Sequence, residues 1–560
     1  MENPTYTPTR AQISRSAIQR LHVSMRHLFM RGGYKPLGVS GETMIRSMLA
    51  LKPEIYGSIG DEERVELSGL LYIFQRLPIG IETCRYIKLI SREGFEDSSF
   101  KAIVPSKRRR NCYKVDDEQM FIEMTRGRSD IYDVLTHLTF LFIEAEKISK
   151  NSLDSKGRKV RSWKMLEEII HKISHGEKYD NQVGYTYLST VLGRTYDETA
   201  QACQRFEKAS GVNSLFSIVY WLGRRSMEEY LDDNDREITF SSALREKLGH
   251  HLYGEFWAFQ IKDFLFKNNL FDRHIHVVSS NLHSVMNSLY ADKVLNTKLK
   301  YDTIEDIAED LSKSENKPKR SLVSKYALKN GMSVLHDNNG TNISVQIIDC
   351  SKIKYENLPK ELKASKNLEN TVIIVMDYAF GQQAYETMDE LLKPYERNGE
   401  KKQMDVKSIN IMGKAGILCG RKGDIMIPDA HIFEGSADNY PFDNALTLEE
   451  FQDDEIDTFG GPMITVLGTS LQNKDILRYF LKSSWKASGL EMEGAHYQKA
   501  IQAASQIRKS ISEDVTLRYA YYASDNPLET GATLASGSLG MDGVKPTYMI
   551  TLAMLKGIFS

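Results

Sequence analysis

The sequence predicts a mostly helical N-terminal domain, residues 1–300, followed by an α/β C-terminal domain. Two observations lead to this division. No proline occurs between Pro105 and Pro318, and proline is excluded from helix interiors, so the intervening stretch is expected to be helical. Beyond residue 325 the pattern changes to short apolar runs that alternate with amphipathic segments, which is typical of a buried sheet flanked by helices.

Length, charge and hydropathy restrict the class of protein. A chain of 560 residues is too long for one ordinary core, so two or more domains are expected. The formal net charge of -2 shows no excess of positive charge of the kind that nucleic-acid-binding proteins carry. No segment approaches the roughly eighteen apolar residues of a membrane span, and residues 1–16 lack the apolar core of a signal peptide. We therefore expect a cytoplasmic protein without nucleic-acid or membrane partners.

Cysteines and a basic run give no sign of a special site. The cysteines are scattered and never in a C-x-x-C spacing, which argues against a disulfide framework and against zinc: Cys84, Cys112, Cys203, Cys350 and Cys419. We expect reduced, mostly buried thiols, and neither a metal nor a cofactor. The basic run Lys107-Arg108-Arg109-Arg110 is interpreted as a solvated loop, with a nucleic-acid or targeting patch as the alternative.

Helical signals recur through residues 1–300. Residues 129–130 can cap a helix whose apolar positions follow helical spacing, and residues 195–198 form a capping-box pattern. Residues 274–278 break this rhythm and predict a short strand before Ser279-Ser280-Asn281 and a further helix. This turn either presents amide groups to an anion or merely caps the helix after a buried strand.

The charged residues 301–325 are interpreted as the linker, and residues 326–560 as the α/β domain. A helix is expected to follow Phe380-Gly381 and to stop before Pro394. A turn is expected at residues 413–416, after the third strand. The strands predicted by apolar runs are residues 343–348, 371–376, 409–412, 424–427, 463–467 and 517–523.

Two acidic motifs in the C-terminal domain carry the functional signal. The segment Gly-Leu-Glu-Met-Glu-Gly-Ala at residues 489–495 places two carboxylates before a helical pattern. The segment Ala-Ser-Asp-Asn-Pro at residues 523–527 places a lone carboxylate after an aromatic strand. A carboxylate that holds ribose hydroxyls and an acid that protonates a departing base are what cleavage of an N-glycosidic bond requires.

Residues 340–560 resemble the nucleoside phosphorylase and nucleosidase superfamily, and within it most closely AMP nucleosidase. The resemblance rests on segments that occur in the family's order: Phe380-Gly381-Gln382-Gln383-Ala384, Gly413-Lys414-Ala415-Gly416-Ile417-Leu418 with Gly423-Asp424-Ile425, Leu490-Glu491-Met492-Glu493-Gly494-Ala495, and Ser524-Asp525-Asn526-Pro527-Leu528. It implies an α/β catalytic domain of nucleoside phosphorylase type, with a central mixed sheet flanked by helices.

The resemblance also implies roles for individual residues. Asp525 corresponds to the proton donor for purine N7, Glu493 to the ribose clamp, and Met492 packs against the sugar. Further substrate contacts are expected at Glu491, Ser524, Gly381, Gly413, Lys414, Thr469 and Ser470. Read singly, Asp525 would only cap a turn and Glu493 only cap a helix.

Phosphate is where the sequence departs from the phosphorylases. Those enzymes commonly place an arginine just before the glycine turn, whereas this chain has Ile411; Lys414 and Arg421 lie nearby, either as phosphate contacts or as exposed turn charges. The departure favours water as nucleophile and a 5′-phosphate on the substrate. Glycines 531, 537, 540 and 543 form either a mobile lid or a plain surface loop.

We therefore predict cleavage of the N-glycosidic bond of a purine nucleotide or nucleoside, as in AMP nucleosidase, which hydrolyses its substrate to base and ribose phosphate. One alternative is a phosphorylase that uses inorganic phosphate, and another is a nucleotide-sensing module without turnover. The ligand is a small-molecule nucleotide or nucleoside in each case. The helical N-terminal domain is expected to regulate or assemble the catalytic domain, and relatives suggest a homo-oligomer.

Overall fold

The structure is a computed structural model that describes residues 7–108, 110–209, 211–296, 300–337, 340–363, 368–529 and 540–560. The chain forms two compact units. Unit 1 comprises Met1–His250 with Ser470–Ile476, and unit 2 comprises His251–Thr469 with Leu477–Ser560.

Unit 1 is mostly helical, as predicted, but it also contains a sheet that the sequence did not reveal. Its helices are α1 (Arg10–Arg31), α2 (Val39–Leu51), α3 (Leu67–Phe74), α4 (Gly127–Ser152), α5 (Arg161–Ser174), α6 (Asn181–Leu192), α7 (Tyr196–Lys208), α8 (Leu215–Asp232) and α9 (Ser242–Gly249). Its strands are β1 (Gly33–Tyr34), β2 (Tyr86–Ile90), β3 (Cys112–Lys114), β4 (Gln119–Glu123) and β5 (Glu237–Phe240). The sheet order is β1-β5-β2-β4-β3, with β2 parallel to both β4 and β5. Strands this short leave little periodic signal, and a lack of proline does not distinguish them from helices.

Unit 2 contains eight helices and fourteen strands within the described residues. The helices are α10 (Leu252–Lys267), α11 (Leu282–Leu295), α12 (Ile304–Ser312), α13 (Lys317–Lys329), α14 (Gln383–Leu391), α15 (Lys474–Lys482, of which the first three residues belong to unit 1), α16 (Gly494–Gln502) and α17 (Val544–Phe559). The strands are β6 (His274–Ser279), β7 (Met332–Leu335), β8 (Val345–Asp349), β9 (Thr371–Met376), β10 (Tyr395–Arg397), β11 (Glu400–Lys402), β12 (Asp405–Ile417), β13 (Ile425–Ile427), β14 (Ala430–Phe433), β15 (Asn439–Pro441), β16 (Thr458–Gly460), β17 (Met463–Thr465), β18 (Gly489–Glu491) and β19 (Thr516–Asp525).

The predicted linker at residues 301–325 and the predicted domain boundary at residue 300 are wrong. Thr303 and Asp306 form a capping box that starts α12, and the apolar face of α12 is buried in a core cluster of unit 2. Helix α13 follows directly, and unit 2 already begins at His251. The dense charge of this stretch covers the solvent side of the amphipathic helix α12 and much of α13, and it therefore resembles a linker in the sequence.

A large mixed sheet forms the centre of unit 2, as predicted. Its main path runs β15-β14-β17-β18-β12-β6-β9-β8-β7, and β19 pairs with β12 from the other side. One core cluster includes residues of α10, α14 and α16, whereas another includes residues of α11, α12, α13 and α17. All six predicted strands are present, as β8, β9, part of β12, β13, β17 and β19.

Candidate functional site

Strand β12 creates a crevice at the carboxyl ends of several strands. Strand β6 runs parallel to β12 as far as the pair Ser279 and Ile411, whereas β18 runs antiparallel to β12 and pairs Leu490 with Gly416. Both lie opposite β19, which occupies the other side of β12. The carboxyl ends of β6 and β18 therefore face each other beside residues 412–415. Ligands of open α/β sheets bind outside such carboxyl ends.

Glu493 lies at the carboxyl end of β18, on this crevice. It is the residue immediately before α16, and its carboxylate is half-buried. Its Oε1 accepts a hydrogen bond of 2.8 Å from the amide of Gly381, which follows β9 in a turn and has a φ of +54°. The left-handed backbone at Gly381 suits glycine and aims this amide at Glu493. Two segments that the sequence analysis singled out, 112 residues apart, are thereby joined.

Glu491, rather than Glu493, caps α16. Its Oε2 accepts hydrogen bonds from the amides of Glu493 and Gly494, and the hydroxyl of Thr465 donates to Oε1. Glu491 is 3% exposed, and the same Thr465 oxygen accepts the amide of Ala495. Burial, followed by the neighbouring Glu493 carboxylate, raises the pKa of Glu491 to about 8. The capping role considered for Glu493 thus belongs to its neighbour.

Replacing Glu491 with Gln is expected to flatten the pH dependence of stability. The folded carboxyl keeps its proton up to about pH 8, whereas the unfolded one loses it near its ordinary 4.5. The unfolding free energy of the unchanged chain therefore falls as pH rises through this window, by at most about 1.4 kcal/mol per pH unit from this group. Denaturant unfolding across the window measures the slope. The exposed Glu513→Gln should keep it, and a slope unchanged in Glu491→Gln would contradict the assignment.

Asp525 ends β19, on the other side of β12. It pairs with Gly416, which in turn pairs with Leu490 of β18. Because neighbouring strands lie roughly 4.8 Å apart, Asp525 and Leu490 are separated by about 10 Å between Cα atoms. Asp525 is 6% exposed, and the Ser524 hydroxyl donates to its Oδ1. The two acidic motifs therefore lie on either side of the same segment of β12.

Gly413 does not form the predicted turn, because β12 continues through residues 413–416. Its missing side chain has a packing reason: a Cβ here would lie 2.5 Å from the ring of Tyr521 on β19. A Cβ on Gly494 would clash with His431 and with the Tyr521 hydroxyl, which are hydrogen-bonded to each other at 2.9 Å. The Tyr521–His431 pair therefore fills the space beneath β12 and the start of α16, and both glycines are needed beside it.

Lys414 borders a cavity of about 520 Å³ within unit 2. The cavity is also lined by Asn281, His283, Arg320 and Tyr522, and no aspartate or glutamate of the described chain is among its lining residues. Lys414 interacts electrostatically with Asp525, and burial holds the pKa of the Lys414 ammonium below its ordinary value. The lining thus holds two basic side chains, Arg320 and Lys414, and no carboxylate, which favours an anionic occupant.

Asn281 and Arg320 are held in this lining by local contacts. The side chain of Asn281 accepts the amide of Ser284 at 2.8 Å and caps α11, so the helix-cap interpretation of this turn is confirmed. Arg320 donates to the carbonyls of Leu311 and Lys313 at 2.5 and 2.7 Å, at the end of α12. Carbonyl acceptors orient a guanidinium without neutralising its charge, so Arg320 adds positive potential to the cavity.

The remaining predicted site residues differ in where they lie. Thr469 belongs to unit 2, but Ser470 belongs to unit 1, where its side chain is hydrogen-bonded to Tyr56. Met492 is half-buried beside Glu493, and its amide donates to Glu493 Oε2 at 3.3 Å. Glycines 531 and 537 of the predicted lid lie outside the described residues.

Sequence reasoning missed several residues that build the site. Thr465, Tyr521 and His431 are buried supports, and their types and spacings do not differ from those of ordinary strand residues. His283 and Arg320 lie on helices that the sequence assigned to the helical half and to the linker. A signal existed for His283, since it follows Ser279-Ser280-Asn281 by two residues.

Membrane and metal signals are also absent from the described residues. None of the described helices combines the length and the apolar character needed to cross a bilayer. In the same part of the chain, no three His, Cys, Asp or Glu side chains come together as metal ligands would. Four cysteines are buried and Cys419 is exposed, and all five are free thiols.

Comparison with known families and proteins gives a match over most of the chain. The model of a family of unknown function, DUF6909, matches residues 42–310 and 307–560. No curated protein matches the sequence.

Solved structures match about half of the chain. A 5′-methylthioadenosine/S-adenosyl homocysteine nucleosidase from Campylobacter jejuni is 12% identical, with a TM-score of 0.30 over 51% of this chain and 99% of that one. A futalosine hydrolase mutant from Helicobacter pylori is 13% identical, with a TM-score of 0.29 over 50% and 99%. A uridine phosphorylase isoform from Schistosoma mansoni is 13% identical, with a TM-score of 0.32 over 53% and 91%.

Proposed function

This chain belongs to the DUF6909 family, and we propose that it cleaves the N-glycosidic bond of a purine nucleotide or nucleoside. The observation that carries the proposal is the pair of carboxyl groups at the crevice of β12. Glu493 and Asp525 come from segments that resemble those of nucleosidases. Asp525 ends β19 and Glu493 follows the end of β18, on the two sides of β12. Because Glu491 caps α16, the Glu493 carboxylate does not serve as the helix cap.

Cleavage of the N-glycosidic bond requires different roles of the Glu493 and Asp525 carboxyl groups. Loss of the base builds positive charge on the ribose and negative charge on the base. In the proposed mechanism Glu493 binds the ribose hydroxyls, held in place by the Gly381 amide. Asp525 donates a proton to the departing base. The hydrogen bond from Ser524 fixes the Asp525 carboxyl, so the proton is delivered from a defined position.

The cavity beside Lys414 supports a phosphate-bearing substrate. Lys414 contacts it from β12 and Arg320 from α13, and a guanidinium matches phosphate oxygens well. Ile411, which stands where phosphorylases commonly have an arginine, is 2% exposed and lies in the sheet core. We therefore propose a nucleotide such as AMP as substrate and water as nucleophile, which gives free base and ribose 5-phosphate.

A phosphorolytic reaction is the second candidate, because the same cations can hold inorganic phosphate. The two are separated by incubating the protein with AMP and with adenosine, with and without phosphate, and measuring free base by chromatography. We expect base release from AMP that does not depend on phosphate. Release only when phosphate is present would assign the protein as a phosphorylase. Tight nucleotide binding without any release of base would refute both reactions and favour a sensing module.

Unit 1 has a separate proposed role. We propose that it regulates or assembles the catalytic unit, which is the role expected of the N-terminal half. The expected homo-oligomer also stays a prediction, which sedimentation of the purified protein can test.

A further inference from the structure

The basic run at residues 107–110 is solvated only in part: Lys107 is exposed, whereas Arg108 is half-buried and Arg110 is buried. Arg108 donates to both oxygens of Asp133 at 3.0 and 3.2 Å, and Arg110 reaches Asp130 at 2.6 Å and Asp133 at 2.9 Å. Asp130 and Asp133 lie on α4. The Arg110 side chain is 2% exposed and that of Arg108 is 23% exposed, so the cluster extends from the interior of unit 1 towards its surface.

A third guanidinium, that of Arg76, extends this cluster without a carboxylate of its own. Arg76 is 7% exposed, lies 3.4 Å above the centre of the Tyr72 ring, and donates to the Tyr72 carbonyl at 2.9 Å. Its Nε has no hydrogen-bond acceptor among the described residues. The charged neighbours that act on Arg76 are Arg108 and Asp133, and Asp133 already binds Arg108 in a two-point contact.

The charges of the cluster do not balance within the described residues. It holds three guanidinium groups, Arg76, Arg108 and Arg110, against the carboxylates Asp130 and Asp133. His137 contacts Asp133 and is fully buried, and burial lowers the pKa of its imidazole, so it adds no charge at neutral pH. One buried positive charge is left over. A buried charge without a counterion is costly, because it loses hydration that nothing replaces.

From this surplus we propose that unit 1 binds the phosphate group of a small ligand between Arg76 and Arg108. A guanidinium group is a planar set of N–H donors that matches the oxygens of a phosphate. Arg108 uses its donors on Asp133 and on the Lys107 carbonyl and contributes mainly its charge. The free Nε of Arg76 and the unpartnered NH1 of Arg110 supply donors that the chain itself does not use. All residues of this site belong to unit 1, whereas Glu493 and Asp525 belong to unit 2.

The test is the thermal stability of the full chain in phosphate-free buffer, with inorganic phosphate added at constant ionic strength. A ligand that binds only the folded state raises Tm. We expect saturating phosphate to raise Tm by about 2–5 °C, and Arg76→Met to abolish this rise. Arg76→Met should also be at least as stable as the unchanged chain without phosphate, because it removes an uncompensated charge. Arg205→Met, at an exposed position of α7, is the matched control and should keep the rise.

The same measurement separates this site from the catalytic one. Lys414→Met should keep the phosphate response if the response comes from unit 1, whatever it does to base release. Arg76→Lys keeps the charge but loses the planar guanidinium, so its Tm should rise only at higher phosphate concentrations. This variant also tests the proposal if Arg76→Met does not fold. AMP acting at lower concentration than phosphate, in an Arg76-dependent manner, would identify a nucleotide phosphate. A response equal in Arg76→Met and the unchanged chain, or no response in either, would overturn the proposal.

Discussion

Asp525→Asn is expected to lower kcat for base release by about 10²- to 10⁴-fold, the usual contribution of a general acid. Asparagine has nearly the same shape, and its Oδ1 can still accept the hydrogen bond from Ser524. The fold should therefore persist, while the proton that the base requires is lost. The KM should change much less than kcat, because the interaction with the base strengthens only as the bond breaks.

A substrate with a better leaving group sharpens this test. A nitrophenyl riboside loses its aglycone without protonation, so Asp525→Asn should retain most of its activity on that substrate if Asp525 is the acid. The exposed Asp457→Asn serves as the control and should behave as the unchanged chain with both substrates. Full activity of Asp525→Asn on the nucleotide would refute the assignment. Equal losses on both substrates would show that Asp525 supports the site without donating a proton.

The strands of unit 2 could be predicted because most of them are buried on both faces. Residues 371–376 are an unbroken apolar run and form β9 within those bounds. The extent of β12 could not be predicted, because glycine in a strand ordinarily marks a turn or a close approach. Here the cause is the Tyr521 ring, 108 positions after Gly413 in the chain, and no local pattern reports such a contact.

The charged segments show a second limit of sequence reasoning. The density of charged residues in a segment does not show whether oppositely charged side chains elsewhere in the chain pair with them in the fold. Arg108 and Arg110 bind carboxylates 20–25 residues away, on one face of α4. The stretch after Asp302 instead has its charges on the solvent side of two helices, and the apolar residues of α12 lie in the core. Composition predicts a solvated loop for the first segment and a linker for the second, because burial of a charge depends on pairing that only the fold provides.

The acidic motif shows what spacing can and cannot resolve. Glu491 and Glu493 stand two positions apart, and resemblance alone pointed to the second as the ribose ligand. Since β18 ends at Glu491, the first carboxylate turns back onto the amides of α16 while the second reaches the Gly381 turn. The difference comes from where the strand stops and the helix starts, which sequence reading locates only to within a few residues.

This division of work predicts opposite outcomes for the two carboxylates. Glu493→Gln is expected to reduce kcat/KM by about 10- to 100-fold, since charge-assisted hydrogen bonds contribute roughly 1.5–3 kcal/mol. The Gln side chain can still accept the Gly381 amide, so the turn should keep its place. Loss of the ribose contact should also erase the preference for ribose over 2′-deoxyribose substrates, because the discriminating carboxylate is gone.

Glu491→Gln is the matched control for this loss, because it makes the same Glu-to-Gln change two positions earlier in the chain. Its carboxyl contacts only Thr465 and the start of α16 in the described hydrogen bonds, so it should keep the ribose preference and change the pH dependence of stability instead. Measuring kcat/KM for ribose and 2′-deoxyribose substrates in both variants decides the matter. If Glu491→Gln loses the preference while Glu493→Gln retains it, the ribose ligand is Glu491 and the proposed geometry of the site is wrong. If both lose it equally, the two carboxylates act as one unit, and the order of α16 rather than a single contact determines sugar binding.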